Sequence, residues 1–217
     1  MRLCDKYQAD GMRATIIRRL EFSYPTTLDD FDRLPRHHRT HSAWRVSALA
    51  REFNFPWILP SALYCIFEKQ SLEEIADARI TNDPSFRMAD EDRVALLRGT
   101  NVLAQEGDKI LMRILSFVKY DFCCTVIRCH DGRTNTLRGY AFNSTWSSHG
   151  SGPKPLHDKS DHSLVFKWLS KAVCDVCVQE SHRLLQQERR DFWSGLPGIF
   201  GLPDWRALEE MRKAAQL

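Results

Sequence analysis

Residues 42–67 read SAWRVSALAREFNFPWILPSALYCIF. Ser42 can cap a helix whose inward stripe is Trp44, Val46, Leu49, Ala50 and Phe53, stopping ahead of Pro56. Pro60 fits the first turn of a second helix, with Leu63, Tyr64 and Phe67 on its apolar face. Two helices joined by a proline-marked connection predict a mainly α protein. The same period extends in both directions. Upstream, Asp10 caps a helix carrying Met12, Ile16, Ile17 and Leu20. Tyr24-Pro25 breaks it, and Thr27 caps a short segment with Leu28, Phe31 and Leu34. Downstream, Asp90 opens a helix with Val94, Leu96 and Leu97, interrupted near Gly99, and Ile110–Val118 is apolar enough to be core. From Asp161 a helical stripe resumes with Leu164, Val165, Trp168, Leu169, Val173, Val176 and Leu184.

Between these lies a different texture. Residues 123–160 collect cysteine, glycine, serine and asparagine with little period, and are expected to form a long irregular insertion. Strand signals are confined to Cys124–Ile127 and Leu137–Phe142. The predicted architecture is an irregular helical array with this insertion and at most a minor β element. Its segments are 1–36, 42–122, 123–160 and 161–217. The last closes on two Gly-Leu-Pro turns, at 195–197 and 201–203, with Phe192, Trp193, Phe200 and Trp205 docking back on the preceding helices.

Composition removes several classes of function. With 43% apolar residues and six tryptophans the chain is globular. Thirty-one basic against twenty-eight acidic side chains leave only +3, too balanced to imply nucleic acid. No apolar run is long enough to span a membrane. The N-terminus lacks the continuous apolar core of a signal peptide, so the seven cysteines are expected to be mostly reduced and the protein intracellular. No nucleophile elbow, zinc-protease motif or phosphate-binding loop is present, and no catalytic residue is assigned. Arg33, Arg36, His37, His38, Arg39, His41 and Arg45 form a basic run. It reads as a solvated connection, or else as a nucleic-acid contact of a zinc-stabilised module.

The cysteines carry the one suggestive spacing. Cys174 and Cys177 form a C-x-x-C on one helical face, and Cys124 with Cys129 can complete four ligands, with Cys123 or His130 as substitutes. Zinc takes four such ligands in a tetrahedron, and a structural ion would tie the insertion to the helix that follows. The competing reading is plainer: small buried thiols beside Leu169, Val173 and Val178. A single C-x-x-C and the loose spacing of the first pair favour buried thiols over the ion. A Cys/His enzyme remains as a third reading.

Several stretches in order resemble one family. CDKYQADGMRATIIRRLE (4–21) followed by Tyr-Pro is similar to the end of a fungal BTB/POZ domain. WRVSALAREFNFPWILPSALY (44–64) and DEDRVALLRG (90–99) look like the helices that follow that domain in basidiomycete members. The C-x-x-C and FWSGLPGIFGLPDWRAL (192–208) resemble their C-terminal ending. The resemblance implies a non-catalytic adaptor that works through protein partners. It also implies that the β-rich core of the domain lies ahead of Met1. On that expectation Tyr7, Met12, Ile16 and Leu20 form an exposed apolar patch open to self-association, and a chain beginning near Ser42 is more soluble.

Overall fold

The computed structural model describes residues 10–35, 43–77, 88–116, 123, 125–142, 154–156 and 163–215. Ten α-helices and no strand occur among them, so the protein is mainly α. The expected helix end near Tyr7, Ser42, the run 36–42 and the turn at Asn82-Asp83-Pro84 lie outside the described residues. The chain divides into two compact units: Met1–Thr100 with Ser194–Leu217, and Asn101–Trp193. The boundaries fall inside two long helices, α6 (Asp90–Ser116) and α9 (Asp175–Ile199).

The first unit is assembled around α3 (Ala43–Glu52) and α4 (Leu59–Lys69). Asn54, at a φ of 57°, turns the chain out of α3, and Pro56–Ile58 form one 3-10 turn that leads into α4. Every residue from Leu59 to Phe67 is buried, and Phe31 meets Tyr64 edge to face at 5.9 Å. A helix apolar all round belongs in the middle of a core, which is where packing places it. Around it lie α1 (Asp10–Ser23), α2 (Leu28–Arg33) and α5 (Leu72–Asp77). Thr27 caps α2 by accepting from the Asp30 N–H, and Ser71 with Glu74 closes a reciprocal capping box on α5. Arg51 holds the fully buried Asp92 through Nε at 3.1 Å and Nη2 at 2.5 Å, which raises the Arg51 pKa chiefly through that hydrogen bond.

α1 is integral to this unit. Its Glu21 accepts from the buried Trp57 Nε1 at 3.0 Å and from Arg212 of α10 (Trp205–Ala215) at 2.8 and 3.1 Å. Ile17 is buried and the Arg13 guanidinium lies over the Phe55 ring at 5.8 Å, whereas Met12 is 61% exposed. A chain beginning at Ser42 would therefore strand the Trp57 N–H and leave Arg212 only Glu209 of its two carboxylate partners. Removing α1 would thus cost the first unit these contacts along with the exposed Met12.

Two sequence boundaries shift for physical reasons. α6 runs straight through Gly99, where a Cβ would stand 3.3 Å from Ile199 and Phe200; the glycine admits a close neighbour instead of ending the helix. α9 likewise continues through Pro197 to Ile199, because Leu196 is fully buried and only the last turn loses a hydrogen bond. Gly201, at φ +68°, then closes it: the Leu202 N–H reaches the Pro197 carbonyl and the Gly201 N–H that of Gly198. The expected inward docking of the tail aromatics holds for Phe192, Trp193 and Phe200, all buried.

In the second unit α7 (Val126–Phe142) packs on α8 (Ser163–Ala172). The irregular insertion expected over 123–160 is thus helical across 126–142, and the strand signals at Cys124–Ile127 and Leu137–Phe142 fall on that helix from residue 126 onward. Its inward stripe is Cys129, Gly132, Arg133, Thr136 and Tyr140, helical in spacing but poor in large apolar side chains. A reading based on hydrophobic period passes over such a helix. Gly132 permits the packing, since a Cβ there would lie 2.3 Å from the Ala172 carbonyl oxygen.

Candidate metal centre

Four cysteines of the second unit converge. Cys123 precedes α7, Cys129 lies on its buried face, Cys174 stands just ahead of α9, and Cys177 sits in that helix's first turn. All four sulfurs lie within 4.8 Å of one another. Cys123 Sγ is 3.6 Å from Cys177 Sγ and 3.9 Å from Cys174 Sγ. Metal–sulfur bonds of 2.3 Å in a tetrahedron put neighbouring sulfurs about 3.8 Å apart, so the spacing suits one ion. The set can hold a metal. An iron–sulfur cluster, with sulfides bridging several irons, needs a wider cage.

Of the four ligands expected from sequence, Cys129, Cys174 and Cys177 come together here. Cys123, a substitute in the sequence reading, joins them, and Cys124 lies outside the described residues. His130, the other substitute, is exposed and faces Asp131 at 3.5 Å. The helix start at Val126 explains the arrangement. It puts Cys129 on the buried face of the first turn, with Cys123 three residues ahead of the helix.

Hydrogen-bond donors and a helix end point at the cluster. Cys129 Sγ accepts from the Cys174 backbone N–H at 3.2 Å, and the Thr125 hydroxyl lies 3.5 Å away. Cys174 and Cys177 stand at the N-terminal end of α9, whose dipole stabilises negative charge. Arg133 is 3% exposed. Its guanidinium donates to the carbonyls of Ile114 at 2.8 Å and Cys177 at 3.0 Å, while Nε has no partner. No carboxylate among the described residues pairs with it. A buried guanidinium without a counter-ion is costly, and four thiolates around a divalent ion carry a net charge of −2. A metal held on four thiolates would balance the charge of Arg133.

Without an ion the same crowding works the other way. Burial pushes the Cys177 thiol up to about 12, the three neighbouring sulfurs adding to it and Arg133 opposing it. The Cys123 thiol is also raised, chiefly by desolvation. Four neutral thiols would leave the Arg133 charge unbalanced; thiolates need the cation that brings them together.

The centre is braced from outside. Arg133 reaches the last turn of α6, and Arg113 of α6 is paired with Glu188 of α9. Tyr140, one helix length along α7, donates to Asp108 at 3.3 Å. Sequence reasoning missed Arg133 and Thr125. The single available signal was spacing, Arg133 standing one helical turn after Cys129 on the same face.

Among the described residues no helix is long and apolar enough to cross a membrane. Arg33 of the basic run pairs with Asp30 at 2.9 Å, and residues 36–42 lie outside the described residues. Comparison with family models, with curated proteins and with solved structures finds no match.

Proposed function

We propose that this chain is a non-catalytic interaction protein whose second unit is stapled by one structural zinc ion on Cys123, Cys129, Cys174 and Cys177. The observation that carries the proposal is the convergence of four sulfurs within 4.8 Å from two segments 45 residues apart. Four soft ligands in a compact set suit zinc. With all four positions filled by protein there is none left for a substrate or an activated water, which separates a structural centre from a catalytic one. Thiolates of this kind persist in reducing surroundings, so the protein is assigned to the cell interior. The resemblance to fungal BTB/POZ proteins supports a role in contacts with other proteins, and the scarcity of catalytic constellations supports it further.

Native mass spectrometry of the freshly purified, reduced chain tests the staple. The expected mass exceeds that of the polypeptide by one zinc ion, and chelation removes the difference together with α7 helicity. A zinc-supplied sample that carries no metal, or that keeps its ion after Cys129→Ser and Cys177→Ser together, would sink the reading.

A further inference from the structure

Between α7 and α8 of the second unit runs an open groove of about 1300 Å³. Its floor is where the helices meet: Gly132 and Gly139 on α7 lie against Ala172 and the Trp168 ring on α8. At one end, Val126 and Ile127 are 45% and 79% exposed, apolar surface that a folded chain does not ordinarily leave uncovered in a concave site. The two walls carry cations, Arg128 from α7 and Lys171 from α8, and neither has an ion-pair partner among the described residues. Asp131 is the one acidic side chain lining the groove among the described residues. The first turn of α7 holds no acidic residue, so the positive end of its dipole is left open at the same place.

The space exceeds what an enclosed small-molecule site needs, about 300–1,000 Å³, and is broadly open. A helix about 10 Å across, laid along the groove with apolar side chains on the floor, matches its form. Opposed cations on both walls favour acidic residues on either side of the apolar stripe. We propose that this groove docks an amphipathic helix of a partner protein, with Asp or Glu flanking its apolar stripe. The proposal extends the interaction reading above by naming the partner's chemistry. It also links that partner to the metal centre, because Val126 and Ile127 lie between the ligands Cys123 and Cys129.

A displayed library of randomised helical peptides, selected on the zinc-supplied full chain and counter-selected on Ile127→Asp, tests it. Ile127 is exposed, so that variant keeps its fold, which circular dichroism checks. Enriched sequences are expected to carry Asp or Glu beside the apolar stripe, and to bind the parent chain at least tenfold more tightly than Ile127→Asp. Arg128→Glu combined with Lys171→Glu should turn the preference toward Lys- and Arg-flanked helices. Enriched peptides that ignore these substitutions, or no enrichment at all, would overturn the docking site. A concentration-dependent dimer abolished by Ile127→Asp would do the same, by assigning the groove to a second copy. Protein shown to be metal-free that still selects acidic helices leaves the groove standing and removes the staple. Zinc-loaded protein that selects none removes the groove and leaves the staple.

Discussion

α4 and α7 are both central to their units, and they are held in opposite ways. α4 is buried from Leu59 to Phe67 by aliphatic and aromatic neighbours, so its place follows from apolar surface withdrawn from water. α7 turns Cys129, Gly132, Arg133, Thr136 and Tyr140 inward, and each depends on a particular partner. These are a sulfur cluster, a backbone carbonyl that tolerates no Cβ, two carbonyl acceptors, and for Tyr140 a carboxylate. Thr136 satisfies its own hydroxyl on the Gly132 carbonyl. The first helix would accept many apolar sequences of similar volume. The second would accept few. The contrast teaches that hydrophobic burial and directional bonding can each fix a helix, and that they fail under different conditions.

The largest expected break is removal of the proposed zinc ion. Chelation should release α7 while leaving α4 in place. Amide exchange should accelerate at least 100-fold over Val126–Tyr140 and little over Leu59–Phe67, the ion contributing on the order of 10 kcal/mol. Equal loss of protection in both helices would erase the distinction. Next comes Leu63→Ala, in the fully buried face of α4. It is expected to cost about 3 kcal/mol in denaturant unfolding of the first unit, with no change in zinc content. Gly132→Ala is its counterpart, costing about 2 kcal/mol by driving a Cβ into the Ala172 carbonyl, and it should weaken zinc binding because Cys174 follows two residues later. Unaltered metal affinity in that variant would separate helix packing from the centre.

The smallest effect sharpens the contrast by pH. Burial, reinforced by the charge of Asp108, raises the Tyr140 pKa. A raised folded-state pKa favours the protonated fold, so this contribution is fully present below the unfolded value near 10. It is lost as pH climbs from there through the folded value. Unfolding of the second unit should therefore become easier above pH 10, and Tyr140→Phe should flatten that slope while costing about 1 kcal/mol at neutral pH. A slope unchanged by the substitution would mean that other groups control it.

The difference between the two helices also sets what the sequence made legible. Apolar period marks α3, α4 and the Ile110–Leu115 part of α6, because their positions follow from burial. Thr27 and the acidic opening of α6 were readable from capping chemistry alone. α7 was not, since a stripe of cysteine, glycine, arginine, threonine and tyrosine has the spacing of a helix without its hydropathy. The C-x-x-C could be recognised as a pair because one helical turn separates its members. Seeing that Cys123 joins the cluster requires knowing where α7 starts, and a buried arginine leaves no mark in composition. Pro197 misled in the other direction, because burial of Leu196 outweighs one lost hydrogen bond near a helix end.

The ion pair between Glu21 and Arg212 joins residues 191 apart. It bears on the order in which the protein is made. Residues 101–193 form one uninterrupted stretch, so the second unit has its whole sequence while translation is still under way. The first waits for Ser194–Leu217, since α10 supplies both the partner of Glu21 and the helix that packs on the Pro56–Ile58 turn. On the ribosome Glu21 therefore reaches its final contacts only after Ser194–Leu217 has been made, and Trp57 with its neighbours stays accessible to chaperones until then.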